Sequence, residues 1–163
     1  MTTGATAARF KEDDTPKAAK FSLRTPYMKQ GRITQLVAET PNMWIHCKIN
    51  AEGGENEVHT HLDEDHSFIV LEGEMSVFNE KGEEMKLKQY EGVLLPKGAY
   101  YRYLNTGEGN LVVIRVGSIV RDKPKQGHAT RVTPNGEEIL GGSVENKSLP
   151  PIYMEKFFAD DAR

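Results

Sequence analysis

Cysteine is nearly missing from this chain: Cys47 is the single one in 163 residues. An intrachain disulfide is therefore excluded, as is a zinc site built from thiolates alone, and a reducing cytoplasm is the compartment predicted. Long apolar runs are missing too. Nothing approaches the length needed to span a bilayer, and Met1 to Lys20 lack the apolar stretch of a signal peptide. No charge of one sign dominates: 21 Lys and Arg stand against 24 Asp and Glu, a net charge of −3. That balance offers neither a polybasic field for nucleic acid nor an acidic tail. The reading is a soluble protein with no nucleic-acid or membrane partner. Its length fits one domain that can bury a core without covalent staples. No internal repeat signals a solenoid or propeller.

What is present divides the chain in three. Residues 1–30 are small, polar and charged, with Pro16 and Pro26 interrupting any period, and read as an N-terminal arm that orders against a partner. Residues 31–120 carry short β-rich runs between turn residues: ITQLVAE, MWIHCKIN, SFIVLEG, EMSVFNE, GVLLP, YYRYLN and NLVVIRVG. This spacing predicts an all-β sandwich or barrel. Alternation in MSVF and the turn through Lys81 and Gly82 predict a hairpin. Residues 121–163 are rich in Pro, Gly and charge at first, so this C-terminal extension packs as loop on the barrel or on a second subunit. Tyr153, Met154, Phe157 and Phe158, at i, i+1, i+4 and i+5, then predict a short amphipathic helix.

The chemistry is concentrated in EVHTHLDEDHSFIVLEGEM, residues 57–75. On a strand, His59 and His61 share a face about 6.6 Å apart at roughly 3.3 Å per residue, close enough to converge on one metal. His66 opens the next strand, and Phe68 and Val70 share its face, which points its imidazole into the same interior. Two acids compete with it. Asp65 or Glu64, on a loosely paired turn, can replace His66 and make a face of two histidines and one carboxylate; the loser orients a ligand from behind. Other polar residues invite plainer readings. His46 and Cys47 point apart, and His46 shares a face with Trp44, on the core, a pocket or an interface. His128 is a solvated loop residue, and Glu72 a turn residue.

The stretch from Gly53 to Gly73 resembles the first motif of the cupins, with Gly53, His59, His61 and Gly73 in register. PKGAYYRYLN resembles the second motif at Pro96, Gly98 and Asn105. The match departs at two ligand positions: His66 stands where the family has a glutamate, and Tyr101 where it has a histidine. Gly92 also lies only three residues before Pro96. The resemblance implies an all-β fold, the cupin double-stranded β-helix or jelly-roll barrel, and a homodimer in which such arms cross or add to the neighbouring sheet. It does not by itself imply one activity.

A third imidazole in place of a carboxylate favours borderline metals over Mg or Ca. A divalent transition metal is expected on His59, His61 and His66: Fe first, with Ni, Zn, Mn or Cu as alternatives. Tyr101 has three readings: a phenolate ligand, a hydrogen-bonding or proton-transferring group, or a wall of the pocket. Tyr103, Phe68 and Val70 line the substrate pocket, which favours a planar or aromatic molecule. The expected function is a metal-dependent enzyme acting on a small organic molecule, foremost a non-haem Fe(II)-type dioxygenase. A lyase or isomerase using the same Lewis acid is the close alternative, and a non-catalytic small-molecule binder is the third.

Overall fold

The computed structural model describes residues 6–119, 131–139 and 149–161. Thirteen strands follow one another along them: β1 (Ala8–Arg9), β2 (Thr25–Gln30), β3 (Arg32–Glu39), β4 (Met43–Asn50), β5 (Gly54–His61), β6 (Glu64–Glu72), β7 (Met75–Phe78), β8 (Glu84–Leu87), β9 (Gly92–Leu95), β10 (Tyr101–Asn105), β11 (Leu111–Ile119), β12 (Arg131–Val132) and β13 (Ile152–Phe158). Among the described residues there is no helix, and no helix long and apolar enough to cross a membrane. One sheet runs β1-β3-β4-β11-β6-β9, and a second runs β12-β5-β10-β7-β8. The fold is the all-β double-stranded β-helix that the resemblance implies. His128 lies outside the described residues.

Strand alternation assigns each residue to an inner or an outer layer. The inner layer holds Phe68, Val70, Met75, Val77, Leu87, Leu95, Tyr101, Tyr103, Leu111 and Val113, all buried. A second core gathers Val37, Cys47, Ile49 and Val112, outward positions of the six-stranded sheet, with Met28 of β2 against them. A sheet face rich in Val, Ile and Leu on both sides needs a cover on both sides. A two-stranded ribbon of β2 and β13 provides part of it, with Leu23, Tyr27 and Phe158 against the second core.

The end of the arm and the end of the extension therefore pair with each other on this chain's own barrel. The helix expected around Tyr153 to Phe158 is a strand: Phe157 pairs with Pro26 and Phe158 with Thr25. Its apolar spacing was ambiguous between helix and strand, and an available edge on β2 decided it. Polar clamps seat the ribbon. Asn110 accepts a hydrogen bond from the Met28 N–H at 2.9 Å and donates one to the Met28 carbonyl at 3.0 Å, and the Tyr27 hydroxyl donates to Glu72 at 2.7 Å. Glu72, expected as a turn residue, ends β6 and serves as this acceptor.

The predicted hairpin is present. β7 and β8 pair antiparallel, and the Asn79 side chain accepts from the Lys81 and Glu83 N–H groups at 3.0 and 2.9 Å. Two residues of the second sequence motif act structurally. Asn105 donates to the carbonyls of Asn50, Ala51 and Gly109. Gly98, at φ 86°, gives its N–H to the His61 carbonyl at 2.9 Å. A left-handed residue without a side chain thus pins the β9–β10 turn onto the end of β5.

If the ribbon is an integral layer, Met28→Ala, at a site only 1% exposed, should cost about 2 to 4 kcal/mol in urea unfolding. A loss below about 0.5 kcal/mol, the range of an ordinary surface substitution, would mean that the ribbon does not dock.

Candidate metal centre

β5 and β10 pair with His59 opposite Tyr101. From the other sheet, β6 begins at Glu64, so Glu64, His66, Phe68 and Val70 all turn inward. The two strands meet at the turn through Leu62 and Asp63 after His61, and their inward residues face each other there. His61, Glu64 and His66 offer ligand atoms that all lie within 4.8 Å of one another, and all three residues are buried. The Glu64 Oε1 atom is 3.2 Å from His61 Nδ1 and 3.6 Å from His66 Nδ1.

Hydrogen bonds orient these rings. The Tyr101 hydroxyl donates to Glu55 Oε2 at 3.2 Å, so its oxygen is left to accept. His66 Nε2, 3.1 Å away, must then be the donor, which leaves a lone pair on His66 Nδ1 aimed towards Glu64. Among the described residues neither His66 Nδ1 nor His61 Nδ1 has a hydrogen-bond partner, although both are buried. A lone pair and a carboxylate oxygen facing across 3.6 Å repel unless a cation joins them. Burial, with Arg115 as the next cause, lowers the pKa of both His61 and His66 to about 2. Both imidazoles are thus neutral donors at neutral pH. Two neutral nitrogens and one carboxylate oxygen suit a borderline transition metal, so the residues present fit the group that was expected.

A second cluster lies beside this one. Glu55 Oε1 takes the Lys48 ammonium at 2.8 Å and Arg131 at 3.5 Å. On its other oxygen it meets Tyr101 and, at 3.3 Å, His59 Nε2. His59 donates through Nδ1 to the Glu57 carbonyl at 2.8 Å, the backbone bond that fixes the tautomer of many metal ligands. Burial works against the charge on Glu55, yet Lys48, followed by His59 and the arginines, holds its pKa well below the usual carboxylate range. Burial and Glu55 together push Tyr101 well up, so it is a neutral phenol in this arrangement.

Residues 46–117 match the family model of the cupin domain. The barrel has the cupin fold. Over 58 residues the chain is 40% identical to the Bacillus subtilis protein YdbB, covering 35% of this chain and 51% of that one. It is 42% identical over 50 residues to an uncharacterized Aquifex aeolicus protein, covering 31% and 40%. The chain thus spans about half or less of the curated relatives it matches. Among solved structures it is similar to KdgF from a Halomonas species, with TM-score 0.51 and 26% identity over 56% of this chain and 82% of that one. A Klebsiella pneumoniae protein with a double-stranded β-helix domain superposes with TM-score 0.54 at 19% identity, covering 66% and 95%, a likeness of fold alone.

Against the expected trio of His59, His61 and His66, the cupin barrel brings His61 and His66 together with Glu64, while His59 sits alongside facing Glu55. Of the two competing acids, Glu64 enters because β6 starts at that residue and parity carries it inward with His66. Asp65 points the other way and accepts the Lys97 N–H at 2.8 Å, holding the turn before β10. Phe68, Val70 and Tyr103 are fully buried, with the Phe68 ring 5.0 Å from Tyr103 and 6.0 Å from Tyr101. His46 faces inward and stacks on Trp44 at 4.6 Å, whereas Cys47 belongs to the outer core.

Sequence reasoning overlooked Glu55, Lys48 and Arg115. Each carried a signal. Glu55 has the parity of His59 and His61, Lys48 that of Trp44 and His46, and Arg115 interrupts an apolar run.

Lys48→Met strips the buried Glu55 of its nearest cation and should destabilise the protein by about 3 kcal/mol or more in urea unfolding. The Lys48→Met/Glu55→Gln pair should recover part of that loss; equal losses would show that the pair does not act as a unit. His46, which burial lowers from 6.5 to about 4, binds fewer protons folded than unfolded in that interval. Stability should therefore rise with pH between about 4 and 6.5, with a shallower slope in His46→Gln. An unchanged slope would remove His46 from the account.

Proposed function

We propose that the protein is a metal-dependent cupin enzyme acting on a small organic molecule, and that its reaction is a dioxygenation at an iron(II) centre. The observation that carries this reading is the convergence of His61, Glu64 and His66. Two histidines and one carboxylate form the face used by non-haem iron(II) oxygenases, and a three-residue set leaves positions open for other ligands. A transition metal held there supplies Lewis acidity and, as iron, redox chemistry with dioxygen.

The chain's own residues supply the rest. Glu64 contributes the negative charge, and His61 and His66 remain neutral donors because burial opposes their protonation. Tyr101, held between Glu55 and His66, keeps its proton and is placed to exchange it with a substrate oxygen. Phe68, Val70 and Tyr103 give the interior an apolar, aromatic wall that excludes water. A lyase or isomerase reaction is the second reading, favoured by the Tyr101, Glu55 and Lys48 series. Such a path for proton transfer serves enolate chemistry directly, and dioxygenation does not require it.

Elemental mass spectrometry of the purified protein should find a near-stoichiometric transition metal that is lost in His61→Ala, His66→Ala and Glu64→Gln. Retention in Glu64→Gln with loss in His59→Ala would establish the three-histidine set in its place. If metal is bound, oxygen uptake with candidate substrates separates the two reactions, since the lyase or isomerase consumes none. No metal in the wild type under any loading condition would overturn the enzyme reading in favour of a binding module.

A further inference from the structure

Arg115 is a buried charge that the metal reading leaves without a task. It lies in the apolar run of β11, flanked across the strands by His46 and Phe68, and is only 6% exposed. It does not reach for solvent. Its guanidinium carbon sits 4.7 Å from the Trp44 ring and 5.6 Å from the Phe68 ring. Trp44 can take that position because residue 117 is glycine: a Cβ there would come within 2.1 Å of the indole. Two rings and a missing side chain hold this arginine in the barrel.

Its hydrogen bonds point at the metal donors. One Arg115 nitrogen, Nη2, donates to Glu64 Oε1 at 2.9 Å and lies 3.3 Å from His61 Nε2. The buried Nε–H has no partner among the described residues. Among the protein's own side chains the buried charges balance in pairs, Lys48 with Glu55 and Arg115 with Glu64. Half-buried Arg131, opposite His61 across the β5–β12 pair, already shares Glu55, and half-buried Glu57 lies further along the inner face of β5. A divalent cation on Glu64 takes the carboxylate that neutralises Arg115. The guanidinium is then buried with an unused donor and a diminished counter-charge, a costly state unless an anion enters.

We propose that Arg115 anchors the carboxylate of the substrate, so that the site takes small carboxylic acids carrying a hydroxyl or carbonyl oxygen on the next carbon or the one after. This rests on the metal-site reading above. The guanidinium fork matches a carboxylate in two parallel hydrogen bonds, and Nε is free to make one of them. Because Arg115 is within hydrogen-bond distance of the side chains that hold the metal, an acid bound to it can bring only a nearby oxygen to the ion. Neutral aromatic chelators, which the apolar wall alone would favour, leave the arginine unpaired.

The test is calorimetric titration of the Ni(II)-loaded protein with pyruvate and with hydroxyacetone, its neutral counterpart of the same carbon skeleton. The wild type should bind pyruvate at least about tenfold more tightly, the value of one charge-assisted hydrogen bond. In Arg115→Met the preference should vanish while nickel stoichiometry by elemental mass spectrometry stays the same. Arg115→Lys, which keeps the charge and loses the fork, should lower it and serves as the deciding variant if Arg115→Met does not fold. No preference in the nickel-loaded wild type, or an undiminished preference in either variant, overturns the proposal. A wild type that takes no nickel refutes the metal reading and with it the anchor, because Arg115 then stays paired with Glu64; the nickel stoichiometry tells this outcome from a failure of the anchor alone.

Discussion

Each strand of a two-sheet barrel presents only half of its residues to the interior, and in this protein the same inward rows must both fill the core and carry the chemistry. On β6 the row reads Glu64, His66, Phe68, Val70, polar for two positions and apolar for the next two. On β5 it ends in His59 and His61, with Glu55 further back. The polar ends of both rows lie at one end of the barrel, where the β5–β6 turn brings them together. Everything described for the site follows from that division, because a shift of one residue in either strand would turn the imidazoles out to the surface.

Polar groups placed in such an interior must satisfy one another. Lys48 and Glu55 do so directly, with Tyr101 and His59 on the second carboxylate oxygen. Arg115 and Glu64 form the other pair, with the Trp44 and Phe68 rings near the guanidinium. His61 Nδ1 and His66 Nδ1, which face Glu64, and His59 Nε2, which faces Glu55, are left without a hydrogen-bond partner among the described residues. A barrel selected only for stability would replace these groups with well-packed apolar residues at little or no loss. Retaining Lys48, Glu55, Glu64, Tyr101 and Arg115 with His59, His61 and His66 in one interior is what the proposed metal and substrate site accounts for.

Much of the fold was legible from local pattern. The alternation in MSVF, the Asn79 to Glu83 turn and the β-rich runs from Ile33 to Val116 all reported strands, because half-buried strands impose a period of two whatever their neighbours are. The Tyr153 to Phe158 segment was not legible in this way. Its apolar residues suit either a helix face or an irregular strand, and the choice depended on β2, more than 120 residues earlier in the chain. Glu64 and Asp65 show the same limit at the site: which of two adjacent acids enters depends on where β6 begins, and that start is set by pairing with β11.

The sequence by itself determined that His61 and His66 carry donors into a barrel of the cupin type, that Tyr101 stands at a ligand position of the second motif, and that Phe68, Val70 and Tyr103 line the same interior. The shared faces are consequences of spacing along single strands, whereas the barrel type and the position of Tyr101 are what the resemblance to the cupin motifs implies. Only the tertiary structure decided that Glu64 completes the cluster, that His59 turns to Glu55, and that Lys48 and Arg115 lie among them. Those contacts join β4, β5, β6, β10 and β11 across two sheets, and a charge buried between strands is identified by its partner, which no local period reveals.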